Sequence, residues 1–172
     1  MKRTWIFLGL ATGAAALLAW LFWPAPRAQP LTGVDRILVE KGRRQLSLLR
    51  GGEVLKTYRV VLGKSPIGHK TQEGDQKTPE GVYEIDGRNP QSAFHLSLRI
   101  SYPSAADRAQ AEARGVSPGC DIMIHGLPNG AADPAAPRWR EDWTAGCIAV
   151  SDAEIREIWA AVPDGTAVEI RP

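Results

Sequence analysis

The hydrophobic and polar positions divide this chain into an apolar beginning and a long alternating remainder. Residues 4–23 contain no charged residue, and from residue 34 onward short apolar runs alternate with polar segments rich in Gly or Pro. Short apolar runs bounded by turn residues are typical of β-strands. The pattern predicts strands over 35–40, 45–49, 54–62, 81–85, 94–100, 121–125, 147–150 and 167–170.

Two stretches have helical periodicity instead. One covers residues 105–114, with Ser104 as its predicted N-cap. The other covers residues 152–162, where Ser151 and Glu154 form a capping box. Many short strands with two helices favour a mainly β, α+β domain over a sheet built from βαβ units.

The apolar beginning is long enough to cross a membrane as a helix. Its 20 residues, 4–23, span roughly 30 Å at about 1.5 Å per residue, which is the thickness of a bilayer core. Two basic residues precede it, and the positive-inside rule places the rest of the chain outside the cytoplasm. The sequence therefore predicts an inner-membrane anchor with a single pass over 1–23, a Pro/Ala-rich linker over 24–33 and a periplasmic domain over 34–172. A cleaved signal peptide is the alternative, and it exports the same domain.

The charge of the domain excludes nucleic acid as a partner class. The formal net charge is +2, but residues 1–30 hold three basic residues and no acidic one. The rest of the chain then has 18 basic and 19 acidic residues. A nearly neutral domain lacks the basic surface that binds a phosphate backbone.

The candidate chemistry lies at two strand ends joined by a long irregular segment. Cys147 follows Gly146 and begins an apolar run, whereas His125 ends such a run and precedes Gly126. A cysteine is mostly a thiol at neutral pH, so a nucleophilic cysteine needs a base nearby. We predict Cys147 as the nucleophile, His125 as its base, and the Gly126 carbonyl as the group that orients the imidazole. The amides of residues 146 and 147 are a candidate oxyanion hole, and a buried structural cysteine is the alternative.

These residues lie in motifs that resemble the L,D-transpeptidase catalytic domain, also called the YkuD-type domain. The pattern of that family is His-Gly, a spacer, then Ser/Thr-x-Gly-Cys, and residues 124–126 and 144–148 match it. Residues 78–85 are similar to the Thr-Pro-x-Gly strand entry of the family. Two further strings, at 68–75 and 97–103, resemble its YafK-like branch. The resemblance covers roughly residues 34–171 and implies a mixed β-sheet sandwich.

The resemblance also implies an enzyme that acts on peptidoglycan. Cys147 would attack the carbonyl of the third residue of a stem peptide, usually diaminopimelate, and form an acyl-enzyme. Transfer to an amine gives a cross-link or attaches a lipoprotein, whereas water gives hydrolysis. YafK-like proteins release lipoprotein from peptidoglycan. The expected partners are peptidoglycan stem peptides and peptidoglycan-bound lipoprotein, with no cofactor, and we expect a monomer.

Two positions depart from the pattern of the family. Ala149 stands two residues after the cysteine, where most members carry Arg, and Ala145 stands where His is frequent. Both differences favour the hydrolytic branch. Hydrolysis and transfer stay open, because they share one acyl-enzyme.

Four polar residues in the Gly- and Pro-rich segment 64–80 are candidates for binding substrate. Glu73 or Asp75 would pair with a substrate ammonium and Lys70 with a carboxylate, while His69 lies beside them. A solvated polar loop is the alternative. In the segment before Cys147, we predict that Arg140, or Arg138 in its place, binds a stem-peptide carboxylate. Trp143 either covers the site as a lid or fastens the segment to the core.

The two cysteines allow other functions, which the sequence disfavours. Cys120 lies five residues before His125, roughly 16 Å along a predicted strand, so it cannot reach Cys147 if His125 does. We therefore expect Cys120 to be free. No pair of His or Cys residues has the close spacing of metal ligands, so no metal is predicted. A thiol redox protein is disfavoured because the sequence has no Cys-x-x-Cys motif. The main alternative to an enzyme is a non-catalytic peptidoglycan-binding module.

Overall fold

The computed structural model describes residues 31–130 and 141–172, which belong to one unit, Leu31–Pro172. The predicted anchor over 1–23 and most of the predicted linker over 24–33 lie outside the described residues. Within the two described ranges, no helix is both long enough and apolar enough to cross a membrane.

Short strands and two α-helices lie close to where the apolar pattern predicts them. A 3-10 helix, Lys41–Arg43, connects the first two strands. The strands are β1 (Arg36–Glu40), β2 (Gln45–Arg50), β3 (Glu53–Arg59), β4 (Gly81–Ser92), β5 (His95–Ile100), β6 (Met123–His125), β7 (Ile148–Ala149) and β8 (Ala167–Arg171), and the helices are α1 (Ala105–Ala113) and α2 (Asp152–Ala161).

The strands form a mixed sheet with the order β3-β2-β1-β8-β4-β5-β6-β7. The pairs β1/β8 and β6/β7 are parallel, and the other pairs are antiparallel. Strand β4 is 12 residues long. Its first part, Gly81–Glu84, pairs with β8, and its remainder pairs with β5. The register with β5 shifts twice, before Gly87 and after Asn89. The predicted mixed sheet is therefore confirmed. The expected sandwich consists of two halves of one continuous sheet that share β4.

The chain beyond β3 joins the two outer edges of this sheet. The predicted strand over 54–62 ends at Arg59, and Val61 then forms an antiparallel bridge to Ala149 in β7. The Val61 and Ala149 amides each donate to the carbonyl of the other residue, at 3.0 and 2.9 Å. Gly63 forms a further bridge to Thr144. Strand β7 is thus held by β6 on one side and by the Val61 segment on the other.

One hydrophobic core lies between these elements. Apolar side chains alternate along the strands, and α2 adds the inner face of an amphipathic helix. Burying one large aliphatic side chain stabilises the fold by roughly 1.5–3 kcal/mol. Fully buried members come from both halves of the sheet and from α2, and they include Ile37, Val39, Leu46, Leu48, Leu62, Ile85, Leu98, Ile100, Ile124, Ile148, Ile155 and Ile158.

Both helices begin where the sequence predicts. Ser104 caps α1 and accepts a hydrogen bond from the Asp107 amide, and Ser151 caps α2 and accepts one from the Glu154 amide. In each case the carboxylate three residues on bonds back to the N-cap amide, which completes a capping box. The second box fixes the start of α2 immediately after β7.

Candidate active site

Strands β6 and β7 bring the predicted cysteine and histidine to neighbouring positions. His125 is aligned with Ala149, and Cys147 lies two residues before Ala149, directly before β7 begins. Side chains two residues apart on a strand share one face of the sheet. Cys147 is therefore the diagonal neighbour of His125, and such neighbours lie about 7–8 Å apart, within reach of a long or aromatic side chain.

The thiol itself is bonded to the backbone that leads into β6. Cys147 Sγ donates to the Asp121 carbonyl oxygen at 3.6 Å, rather than to His125. Asp121 has a φ of 57°, in the left-handed region that non-glycine residues seldom adopt. Catalytic hydrogen bonds are often loose in the absence of substrate, and rotation about the Cα–Cβ bond of Cys147 moves the sulfur along the strand.

The turn before Cys147 is fixed by one hydroxyl group. Thr144 Oγ1 donates to the Cys147 carbonyl oxygen at 2.7 Å and accepts from the Gly146 amide at 3.1 Å. Gly146 has a φ of +137°, and a Cβ there would lie 2.7 Å from the Lys77 carbonyl oxygen. The glycine is needed both for its backbone conformation and for this close approach.

This geometry corrects one prediction about the oxyanion hole. The Gly146 amide already donates to Thr144, so it points into the turn and not towards a substrate. The Cys147 amide, in contrast, makes no backbone hydrogen bond within residues 31–130 and 141–172. Of the two amides predicted, only that of Cys147 is free to bind an oxyanion.

One nitrogen of the His125 ring is fixed by a hydrogen bond, and the other has no hydrogen-bond partner among residues 31–130 and 141–172. Nδ1 lies 2.7 Å from the Gly126 carbonyl oxygen, which is the contact that the sequence predicted. Because a carbonyl oxygen only accepts, Nδ1 carries the hydrogen, and Nε2 of the neutral ring keeps its lone pair. The ring is buried beside Phe94 and Trp143, with centroid distances of 4.5 and 5.8 Å.

Burial keeps both groups uncharged at neutral pH. Desolvation lowers the pKa of His125 below its usual 6.5, and the hydrogen bond to Gly126 only partly opposes this. Desolvation raises the pKa of the Cys147 thiol above 9.0, and a hydrogen bond from the Met123 amide acts in the opposite direction. At pH 7 the pair therefore rests as a thiol and a neutral imidazole.

The predicted ligands Lys70 and Asp75 bind each other. Lys70 Nζ donates to Asp75 Oδ1 at 2.9 Å and to the Gln72 carbonyl oxygen at 3.0 Å, and the lysine side chain is only 4% exposed. Asp75 also accepts from the Thr71 and Lys77 amides. Each of these charges already has a partner inside the loop, and substrate binding by Lys70 and Asp75 stays a prediction.

The other two candidates in this loop differ from each other. His69 Nδ1 accepts from the Glu80 amide at 2.9 Å, and Nε2 lies 3.0 Å from Asp107 Oδ1, so the ring connects the loop to α1. Glu73 is exposed, and only its backbone is held, through a hydrogen bond to the Ser117 carbonyl oxygen. Substrate binding by Glu73 stays a prediction.

The segment before the cysteine is only partly described. Arg138 and Arg140 lie outside the described residues. Trp143 is half-buried, its ring centroid lies 6.1 Å from that of Phe94, and it also neighbours His125. Asp142 accepts from the Leu62 amide at 2.9 Å and anchors the chain just before this tryptophan. Trp143 thus packs beside the imidazole, and its role as a lid or as a fastener of the segment stays a prediction.

Two further residues, which the sequence did not predict, shape the site. Thr144 organises the turn, although its place in the Thr-x-Gly-Cys motif was a usable signal. Asp121 supplies the carbonyl that holds the thiol, and nothing in the local sequence indicates this contact. Both cysteines are free, and Cys120 is exposed. In the described part of the chain, no three His, Cys, Asp or Glu side chains converge on a point that would hold a metal ion.

Comparison with known proteins identifies the class to which this fold and site belong. The family model of the L,D-transpeptidase catalytic domain, YkuD, matches residues 34–170. The chain therefore belongs to the L,D-transpeptidase catalytic domain family.

Individual relatives agree with this assignment. Over 132 residues the chain is 29% identical to the Escherichia coli K12 protein named "Putative L,D-transpeptidase YafK", which covers 73% of this chain and 46% of YafK. Among solved structures, a mutant of the helical cell shape determining protein Pgp2 from Campylobacter jejuni has a TM-score of 0.61 at 25% identity, covering 81% of this chain and 47% of Pgp2. Bd1075 of Bdellovibrio bacteriovorus has a TM-score of 0.57 at 25% identity, covering 84% and 52%. The chain spans about half the length of these relatives.

Proposed function

We propose that this chain is a peptidoglycan-modifying cysteine acyltransferase or amidase that attacks the carbonyl of the third stem-peptide residue, diaminopimelate. The observation that supports this most directly is the fixed tautomer of His125. Its Nδ1 is held by the Gly126 carbonyl, so that Nε2 carries the lone pair of a base on the sheet face that His125 shares with Cys147. Membership of the L,D-transpeptidase family supplies the class of substrate.

The reaction follows from the resting charges. The Cys147 thiol passes its proton to His125 Nε2 as the sulfur attacks the amide carbonyl, and the Cys147 amide donates to the oxyanion. The carbon–nitrogen bond then breaks, the leaving amine takes the proton from His125, and a thioester remains. Water or an amine attacks the thioester while His125 accepts its proton. This proton returns to the sulfur when the carbon–sulfur bond breaks.

The surroundings of β7 favour water as the acceptor. Ala149 is fully buried between β6 and the Val61 bridge. The motif that the sequence resembles has an arginine at this position in most members of the family. An apolar methyl group there offers no charge to a second stem peptide. We therefore propose hydrolysis that releases peptidoglycan-bound lipoprotein as the main reaction, with cross-linking or lipoprotein attachment as the alternative outcome.

The location of the reaction is part of this proposal. Residues 4–23 form an uncharged apolar run of membrane-spanning length, and basic residues precede it. We propose that this run anchors the chain in the inner membrane and that residues 34–172 act in the periplasm, where the stem peptides are.

The test uses the 172-residue chain with two substrates, sacculi that carry lipoprotein and free tetrapeptide muropeptides. Released lipoprotein indicates hydrolysis, whereas new muropeptide dimers indicate transfer. We expect Cys147→Ala to abolish turnover and His125→Gln to reduce it by about 10²- to 10⁴-fold, because a general base contributes on that scale.

A matched control distinguishes a catalytic thiol from a structural one. Cys120→Ala removes the exposed cysteine and should leave turnover unchanged. Full turnover by a folded Cys147→Ala variant would refute the acyl-enzyme and favour a non-catalytic peptidoglycan-binding module.

A further inference from the structure

One peptide unit connects the imidazole of the site to a carboxylate on α2. The Gly126 carbonyl oxygen lies 2.7 Å from His125 Nδ1. The next amide, that of Leu127, donates to Asp152 Oδ1 at 2.8 Å. The carbonyl and the N–H are the two polar ends of the same peptide bond.

A peptide unit transmits both orientation and charge between its ends. It is planar, and in the trans form its C=O and N–H groups point in opposite directions. A carboxylate that holds the N–H therefore fixes the direction of the C=O. Successive hydrogen bonds also polarise each other, so a negative charge at the N–H end strengthens the carbonyl as an acceptor.

We propose that Asp152 is a positioning residue that acts on His125 through the Gly126–Leu127 peptide, as an aspartate does by direct contact in a Ser-His-Asp triad. Its carboxylate holds the peptide plane, so that the Gly126 carbonyl fixes the imidazole with Nδ1 protonated. Its charge favours the imidazolium that forms when the thiol loses its proton. The role in catalysis depends on the function proposed above, whereas the contact itself does not.

The absence of a side chain at Gly126 makes this arrangement possible. A Cβ there would lie 2.7 Å from Asp152 Oδ1, 3.0 Å from Ile155 Cγ2 and 3.0 Å from the Phe94 carbonyl oxygen. The Gly126 amide donates to that Phe94 carbonyl at 3.0 Å. Both the amide and the carbonyl of Gly126 are therefore hydrogen-bonded. Because Gly126 has no side chain, Asp152 can come close enough to accept a hydrogen bond from the next amide.

Helix α2 holds the carboxylate in place. Asp152 is the first residue of the helix, directly after the N-cap Ser151. Further along the same helix, Ile155 and Ile158 are fully buried in the core. The position of Asp152 is thus set by the capping box and by core packing, and its side chain does not have to order itself on a mobile loop.

Among the described residues, one titratable side chain faces Asp152 from a neighbouring strand, and an arginine of α2 itself contacts that side chain. His95 Nδ1, on β5, lies 3.9 Å from Asp152 Oδ2, and Arg156 Nη1, on α2, lies 2.9 Å from His95 Nε2. Because arginine only donates, His95 Nε2 accepts, and its Nδ1 hydrogen faces the carboxylate. The titratable group beside His125 itself is Cys147. A pH titration must therefore resolve His95, His125 and Cys147 separately.

The test separates the position of Asp152 from its charge. Asp152→Asn keeps an oxygen for the Leu127 amide but removes the negative charge, and Asp152→Ala removes both. Glu154→Gln is the matched control, because it removes a charge from the same helix end and still completes a capping box. The ring nitrogens of His125 are followed by NMR over pH in the 172-residue chain in detergent micelles, together with kcat and KM.

We expect Asp152→Asn to lower the pKa of His125 and to weaken its Nδ1–H hydrogen bond, with kcat reduced by about 10-fold and KM unchanged, as when an outer partner of a functional histidine is removed. Asp152→Ala should reduce kcat further, and Glu154→Gln should match the wild type. An unchanged His125 pKa in a folded Asp152→Asn variant would overturn the proposal. An equal shift in Glu154→Gln would do so as well, since the effect would then belong to the helix end.

The two proposals can fail separately. If the NMR signals of His125 respond to Asp152 as expected while Cys147→Ala keeps full turnover, the contact through the peptide stands and the acyl-enzyme does not. If turnover requires Cys147 while the pKa of His125 is unchanged by substitution of Asp152, the acyl-enzyme stands and Asp152 has no role in positioning His125.

Discussion

At the scale of single residues, the protonation states of two side chains define how the site can work. Burial lowers the pKa of His125 and raises that of Cys147, so the two pKa values move apart. A thiolate–imidazolium pair is therefore not the resting form, and the proton must move as the sulfur attacks. The environment selects general-base activation of a thiol.

These shifts predict the pH profile of kcat/KM. The reactive form needs His125 unprotonated and Cys147 still holding its proton. We expect the acid limb to fall below pH 6.5 and the alkaline limb to fall only above pH 9, with a plateau between them. Initial rates on lipoprotein-bearing sacculi at subsaturating substrate check this.

The control for this profile is Cys120→Ala, which should give a superimposable curve. An alkaline limb with its midpoint well below pH 9 would instead show that Cys147 ionises easily, which contradicts the effect of its burial.

At the scale of an element, the 64–80 loop depends on Asp75. Burial by itself would raise the pKa of this carboxyl group, but hydrogen bonds from the Lys70 ammonium and from the Thr71, Lys77 and Gln72 amides outweigh burial and lower it. Because the pKa is lower in the folded state than the usual 3.8, the charged form stabilises the fold above pH 3.8, and this contribution is lost as the pH falls through the folded-state value.

Asp75→Asn should therefore destabilise the protein most at neutral pH. Losing the ion pair with a buried lysine should lower the free energy of unfolding by about 2–3 kcal/mol at pH 7, with a smaller difference from the wild type near pH 3. Urea denaturation at several pH values measures both. Glu73→Gln, at an exposed position of the same loop, should change stability little, and an equal loss in both variants would contradict a specific role for Asp75.

At the scale of the whole molecule, Lys41 connects the loop to the first half of the sheet. It follows β1 directly, its side chain is only 3% exposed, and its Nζ donates to the Gly68 and Thr78 carbonyl oxygens and to Glu80 Oε1 at 2.7–2.8 Å. Desolvation lowers the pKa of Lys41, and the contact with Glu80 opposes this. One buried ammonium thus holds both ends of the segment that packs behind Cys147.

We expect Lys41→Met to destabilise the protein by about 3 kcal/mol, because it leaves buried acceptors and a carboxylate without their cation. Chemical denaturation followed by circular dichroism measures this loss. Lys64→Met, at an exposed position nearby, should stay within about 0.5 kcal/mol of the wild type. Equal stabilities of the two variants would show that the Lys41 contacts contribute little.

Much of the fold could be predicted from short stretches of sequence because its determinants are local. The capping boxes at Ser104 and Ser151 lie within four residues, so the helix starts are visible in the chain. The contact between His125 and the Gly126 carbonyl is also local and was predicted. Strand β4, in contrast, extends seven residues beyond its predicted end at Ile85. The second half of β4 is polar, which is typical of a turn. It forms a strand because it pairs with β5, which lies later in the chain.

The sequence by itself determined the class of fold, the helix boundaries and the candidate nucleophile and base. The physical reason is that the alternation of apolar and polar residues, the helix caps and the Cys and His motifs each involve residues that are close together in the chain. The tertiary structure alone decided which groups are free to act. It bonded the Cys147 thiol to the Asp121 carbonyl, 26 residues away in the chain, and set Asp152 behind the Gly126 carbonyl that holds His125. Hydrogen-bonding groups are satisfied by whatever the fold places beside them, and that neighbour is often distant in the chain.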